Sequence, residues 1–323
     1  MSTSVVTSGS AQQRMVRGLA LALVSAAGYG FSGPLGSAFL EAGWSPGLTT
    51  LLRIAGTAVL LLPVLVVMLR RHPLTGPNVR KILIYGLAAV AGVQLCFFQA
   101  LQHLTVGVAL LLEFLAPVLL VGWTWLRTRR TPAAITLLGC VVSLAGLVFV
   151  VDPFGPQQVD VAGILWGIAS AVCVCVYFLL PGGGEEGGVP PMLMLSGAML
   201  VGAVALTVTG LTGITPWEVG APTGTLAGVE VGWPLMLVML VVLATALAYV
   251  TGIIGIRLLD TRIASFVGLS EVMFGVIAAW LLLAQTPSAI QLFGGLLILA
   301  GIVLIRRAEN RAPAAQSELA AEA

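Results

Sequence analysis

Arg53, Glu113 and Glu271 are ionisable side chains set inside long apolar stretches of a 323-residue chain. At that depth in a hydrocarbon setting a charge costs at least about 2.5–3.5 kcal/mol, so each must face a protein interior or a cavity. A guanidinium there suits a carboxylate or phosphate. A glutamate suits an amine or a proton. The opposing reading is structural: Arg53 pairs with Glu113 to close a bundle, and Glu271 caps exposed backbone. Around them Tyr29, Gln94, Phe98, Trp166, Tyr177 and Tyr249 offer amide and aromatic groups. The candidate substrate-binding set is Arg53, Gln94, Glu113, Trp166, Tyr177, Tyr249 and Glu271, although an aromatic in such a stretch also serves as packing or as an interface anchor.

Other chemistries are poorly served. The only lysine, Lys81, is not in a Gly-x-x-x-x-Gly-Lys setting, so the chain holds no P-loop. The two histidines, His72 and His103, form no His-Glu-x-x-His motif. Gly30-Phe31-Ser32-Gly33 matches the short motif of rhomboid-type intramembrane serine proteases, but no histidine is available at depth to activate Ser32. That enzyme is a remote alternative, and catalysis is not expected. Cys96, Cys140, Cys173 and Cys175 lie in apolar runs and read as small buried hydrophobes. Neither a metal nor a cofactor is expected. A net charge of +2 gives no nucleic-acid footprint.

The elements that position these residues follow from composition. With 59% hydrophobic and 9% charged residues, the chain cannot clothe a water-soluble fold. Apolar runs of about 20 residues, the length that spans a bilayer, fall near 17–39, 46–69, 81–102, 106–126, 133–151, 161–180, 190–211, 233–256, 262–283 and 287–306. The expected fold is an all-α membrane protein of ten transmembrane helices. Longer connections fall near 70–80, 181–189 and 212–232.

Apart from Arg53, the basic residues gather in alternate connections: Arg14 and Arg17, Arg70 to Lys81, Arg127 to Arg130, Arg257 and Arg262, and Arg306 to Arg311. The intervening ones carry Glu41, Asp152, Asp160, Glu218 and Glu230 instead. The positive-inside rule then places both termini in the cytoplasm. The connection at 181–189 is the exception, with Glu185, Glu186 and no base. Trp44, Trp166, Trp233 and Trp280 near outer ends, and Trp123 and Trp125 near an inner end, read as an aromatic belt. The location expected is the cell (inner) membrane, multi-pass and without a cleavable signal. The partners are lipid and a small molecule, and a homo-oligomer is left open.

The chain also repeats itself. Residues 131–150, TPAAITLLGCVVSLAGLVFV, and 286–305, TPSAIQLFGGLLILAGIVLI, share ten of twenty positions without a gap. The same offset of 155 pairs Gln94 with Tyr249, Ala109 with Ala264 and Trp125 with Trp280, while the first and sixth helices align around Ser25 and Ser170. Five helices is an odd number, so the second copy enters the membrane from the opposite side. The charges agree: WLRTRRTP loses its arginines in its counterpart WLLLAQTP. The expected organisation is a disordered cytoplasmic tail at 1–16, one five-helix repeat at 17–151, its inverted copy at 161–306 and a second tail at 307–323. Such inverted repeats bind substrate near the midplane where the halves meet.

These stretches resemble the drug/metabolite transporter superfamily, in particular its ten-helix EamA-type members. TALAYVTGIIGIRLLDTRIASFVGLSEVMFGVIAAWLLLAQTPSAIQLFGGLLILAGIVL carries the likeness most clearly, echoed in the first half by SPGLTTLLRIAGTAVLLL and GLAAVAGVQLCFFQAL. VALLLEFLAPVLL further resembles the EF-x-x-P segment of threonine/homoserine exporters, with Glu113 and Pro117 in those positions. The family usually has Glu-Pro in the ninth helix. Here Val272 follows Glu271, which leaves that helix without the residue that would break it. The resemblance implies a secondary active transporter that exports amino acids or related small metabolites by alternating access, with proton coupling through a glutamate. A multidrug or other metabolite carrier of the same superfamily is the alternative.

Overall fold

The computed structural model describes residues 4–72, 74–129, 131–151, 160–179, 189–259, 263 and 267–321. Its helices are α1 Ser4–Glu41, α2 Pro46–Arg71, α3 Gly76–Leu101, α4 Val106–Thr128, α5 Ala134–Val151, α6 Val161–Leu179, α7 Pro191–Leu211, α8 Trp233–Leu258, α9 Ser270–Leu283 and α10 Ala289–Ala321. Seven of these are long and apolar enough to cross a membrane, and α5, α6 and α9 are shorter apolar helices. Large side chains such as Val59, Leu126, Val141 and Leu296 point outward, as lipid-facing residues do. Helices α1 and α10 reach into the segments expected as tails. Residues 181–188, Arg130, Asp152 and Arg262 lie outside the described residues.

The two halves interlock through pairs of equivalent contacts, as a pseudo-two-fold relation between the repeats requires. Helices α5 and α10 cross antiparallel, with Gly139 against Gly301 and Gly146 against Gly294. At the crossing Ser143 Oγ donates to the carbonyl of Ile298, its own repeat mate 155 residues on. Each half also grips the other through equivalent bonds. Ser25 Oγ (α1) donates to Ala248 O (α8) at 2.7 Å, and Ser170 Oγ (α6) donates to Val93 O (α3) at 3.2 Å. Further along, Gly18 sits against Leu258 and Leu259, and Gly163 against their mates His103 and Leu104.

The α5–α10 crossing explains why sequence identity is concentrated there. A Cβ on Gly139 would lie 2.6 Å from the Gly301 carbonyl oxygen, and one on Gly146 2.6 Å from that of Gly294. Small residues let the backbones approach this closely, which is the main attraction between helices in lipid. Gly139→Leu is expected to destabilise the fold by about 1–3 kcal/mol or more through overpacking. Thermal unfolding in detergent would read the loss, and an unchanged midpoint would contradict this packing.

One element corrects the all-α expectation. Within the connection from α7 to α8, β1 Thr223–Leu226 pairs antiparallel with β2 Val229–Gly232. Ala227 and Gly228 both have positive φ, the geometry of a tight two-residue hairpin turn. The hairpin is stapled over the helix ends: Ala227 N–H donates to Leu282 O, and Ala221 N–H to Ala42 O, each at 2.7 Å. Trp44 Nε1 donates to Ala221 O, and Ser45 Oγ to Pro216 O. Trp44 is therefore not an interface anchor: it is buried between Phe39 and Trp233. Repeat one makes its equivalent connection, from α2 to α3, in a few residues, so this cap belongs to one half only.

Candidate functional site

Arg53 is 1% exposed and sits where α1, α2, α3 and α8 meet. Its Nε donates to Thr245 Oγ1 at 2.8 Å, and its Nη1 to Ser32 Oγ and Gln94 Oε1 at 2.5 Å each. Its Nη2 donates to the Ala244 carbonyl at 3.3 Å, and the guanidinium lies 5.6 Å from the Phe98 ring centroid. These bonds engage four of the five guanidinium donors, and none of these acceptors is a carboxylate. A direct Arg53–Glu113 ion pair, the structural alternative raised by the sequence, is absent among the described residues. Glu113 Oε2 instead accepts from Ser170 Oγ at 2.6 Å. Hydroxyls and one amide from separate helices can replace a counter-ion because together they satisfy the fork. Ser32 is thus held as a ligand of the guanidinium.

The backbone builds this site with a device repeated in both halves. Inside α3 the chain widens to π-helical turns over Tyr85–Gly92, and inside α8 over Met239–Leu247, which is the same place under the repeat. Such bulges shift carbonyls out of the i→i−4 ladder and often occur at functional sites. Here the α8 bulge frees Ala244 O for Arg53 and lets Thr245 Oγ1 reach Leu240 O at 2.7 Å while accepting from Arg53 Nε. Both bulges end just before the carbonyls that receive Ser25 and Ser170. No residue type marks them in the sequence.

Glu113 and Glu271 each sit at a break in a membrane helix. The first half of α4 ends at Glu113, and its second half starts at Ala116 ahead of Pro117. The ninth helix breaks as well. Leu269 is a turn residue before Ser270, although Val272 stands in place of proline. Ser270 Oγ donates to Val267 O at 2.6 Å and takes up a carbonyl that the break leaves free. Glu271 lies in the first turn of α9, where the helix dipole favours a carboxylate. Both glutamates are half-buried. They lie within electrostatic range of each other and of Arg53.

The remaining candidates divide. Gln94 is a direct ligand of Arg53. Tyr249 meets Tyr29 edge-on, with ring centroids 5.1 Å apart. Trp166 is 37% exposed on the outer surface of α6, apart from this cluster. Tyr177 lies on α6, its side chain outside the described residues. Ser32, Thr245, Ser170 and Phe98 complete the cluster; the sequence offers Phe98 as a pocket residue, Ser32 in the Gly-x-Ser-Gly motif and Ser170 only as a repeat position, and does not mark Thr245. Thr50, one turn from Arg53 on α2, is fully buried and its hydroxyl has no partner among the described residues.

The site is closed on one side. Leu35, Phe39, Phe97, Phe98, Met236 and Leu240 form one buried cluster between it and the helix ends covered by the hairpin. Toward the arginine-bearing ends the packing is looser. Tyr29, Cys173, Tyr249 and Glu271 stay partly exposed there, and Gly268 has open space around it.

A polar link between the repeats marks the closed side. Asp160 Oδ1 accepts from Ala162 N at 2.9 Å, starting α6, and its Oδ2 meets His103 Nδ1 at 2.5 Å. The Ala162 N–H, with His103 adding to it, holds the Asp160 carboxyl below its ordinary value. A depressed value means that the contribution is whole above about pH 4 and is lost as pH falls through the lower, folded value. Asp160→Asn should therefore lower thermal stability by more at pH 7 than at pH 3; an equal deficit at both would contradict this.

Comparison with known proteins gives a consistent result. Residues 16–152 and 161–307 each match the EamA-like transporter family. The chain is 27% identical over 227 residues to the "Uncharacterized inner membrane transporter YicL" of Salmonella typhimurium, covering 70% of this chain and 72% of that one. It is 24% identical over 214 residues to an "Uncharacterized transporter" of Archaeoglobus fulgidus, covering 65% and 71%. A solved crystal structure superposes with a TM-score of 0.56 at 18% identity, over 90% of this chain and 95% of the other, which bears on the fold alone.

Proposed function

Because the chain belongs to the EamA-like transporter family, and is thereby a multi-pass membrane transporter, we propose that it is a secondary active carrier of amino acids or related small amines. It spans the inner membrane ten times, with both termini in the cytoplasm. One repeat rocks against the other around the central site. The observation that carries this reading is the glutamate pair. One carboxylate comes from each repeat, each stands at a helix break, and both are partly exposed while Arg53 is engaged by uncharged neighbours.

Glu113 and Glu271 accept the substrate ammonium in one half of the cycle and a proton in the other. A carboxylate on the substrate suits the N-termini of the two broken half-helices, at Ala116 and Ser270, as in other carriers with discontinuous helices. Arg53 supplies positive charge from beneath and fixes α1, α2, α3 and α8. The hairpin-covered side is extracytoplasmic, so the structure corresponds to an inward-facing state. In proteoliposomes an imposed pH gradient should drive accumulation of radiolabelled L-threonine or another member of an amino acid panel. Uptake by none of the panel under any gradient would remove the reading.

A further inference from the structure

We propose that Cys96 and Cys173 are an oxidant-responsive pair that closes to a disulfide joining the two repeats. Cys96 on α3 stands one turn after Gly92, and a helical side chain leans back over the turn before it, so it shares the Gly92 turn with the Cys173 thiol of α6 and lies within electrostatic range of it. All four cysteines are free thiols, and both members of this pair are partly exposed. The helices are held close at this level. Ser170 Oγ, one turn before Cys173, bonds to Val93 O, one turn before Cys96. Cys173 Sγ also rests against Gly92, where an added Cβ would be only 3.0 Å away. The pair lies within electrostatic range of Glu113, and the partial exposure of both thiols lets a small neutral oxidant reach it. Cys175 is not a competitor: two residues on, it points to α4 and donates to Ala116 O at 3.3 Å.

With a peroxide as oxidant the chemistry balances. One thiolate attacks the O–O bond, becoming a sulfenic acid and releasing water. The second thiol attacks that sulfur, the S–S bond forms, the S–O bond breaks and a second water leaves. Two electrons pass from the sulfurs to the peroxide. The resulting bond crosses the repeat boundary at mid-membrane. Given the carrier reading above, on which this consequence rests, it stops one half from moving against the other until a reductant restores the thiols.

The test counts thiols on the intact protein. Purified, reduced protein is treated with hydrogen peroxide in detergent, then denatured and labelled with maleimide. Mass spectrometry should show the four adducts of the reduced chain falling to two, and dithiothreitol should restore four. Cys96→Ser and Cys173→Ser should each keep all three of their adducts. Four adducts after oxidation, or the loss of two in either variant, would overturn the pair. Amino acid uptake is measured in parallel. Undiminished uptake by fully oxidised protein overturns the arrest, whereas no uptake by reduced protein counts against the carrier reading and leaves the thiol count as it stands.

Discussion

Arg53→Ala is expected to cost about 3–5 kcal/mol, the range seen when one partner of a buried charged network is removed. Three side-chain acceptors, Ser32, Gln94 and Thr245, and the Ala244 carbonyl lose their donor at once. A buried polar group left without a partner costs about 1–3 kcal/mol. Water cannot take over, since Arg53 is 1% exposed. The four acceptors come from α1, α3 and α8, so the loss loosens both halves together. Arg53→Lys should recover little, because one ammonium cannot reproduce a fork whose Nε, Nη1 and Nη2 point to separate helices. In detergent the unfolding midpoint should fall on the order of 10 °C for either variant. Ser32→Ala and Gln94→Ala should cost less, since each removes one bond. A midpoint unmoved in Arg53→Ala would show that the cluster holds nothing together.

The second large effect is on transport and leaves stability alone. Glu113→Gln keeps an acceptor for Ser170, and a neutral amide at membrane depth is cheaper than a carboxylate. Removing one partner of a desolvated charge contact with a substrate ammonium costs about 2–5 kcal/mol, or roughly 30-fold or more in apparent affinity at 1.4 kcal/mol per decade. Glu113→Gln and Glu271→Gln should each lose gradient-driven uptake by that factor while unfolding no earlier than the parent. If the two act as a unit, the double variant should be little worse than either single one. Wild-type uptake by both single variants would mean that the glutamates serve the backbone breaks and not the substrate.

Much of this architecture is legible in the sequence, for reasons that differ by element. The α5–α10 repeat is visible because two backbones in contact tolerate little besides glycine at Gly139, Gly146, Gly294 and Gly301. The depth of Arg53, Glu113 and Glu271 is visible because charge is expensive in hydrocarbon. The partners of Arg53 are not. Ser32, Gln94 and Thr245 are ordinary polar residues on separate helices, and only packing brings them together, whereas a glutamate at similar depth offered a simpler pair. The π-helical turns leave no mark, since widening a helix needs no special side chain. The break before Glu271 is hidden for a related reason: no proline marks it, and Ser270, whose hydroxyl takes up the Val267 carbonyl, is an ordinary polar residue in sequence. The hairpin did carry a signal in TGTLAGVEVG, where alternation flanks a two-residue turn, but it is short and lies between much stronger apolar runs.

The central claim is that Glu113 and Glu271 couple a proton gradient to movement of an amine. Purified protein in proteoliposomes, loaded with a pH-sensitive dye and exposed to L-threonine or the transported member of the panel, tests it most directly. Addition of substrate should move protons across the membrane in step with labelled substrate. An uncoupler should abolish accumulation against the gradient, and Glu113→Gln or Glu271→Gln should remove both fluxes together. Accumulation that persists with the uncoupler, or substrate flux without any proton movement, would contradict it.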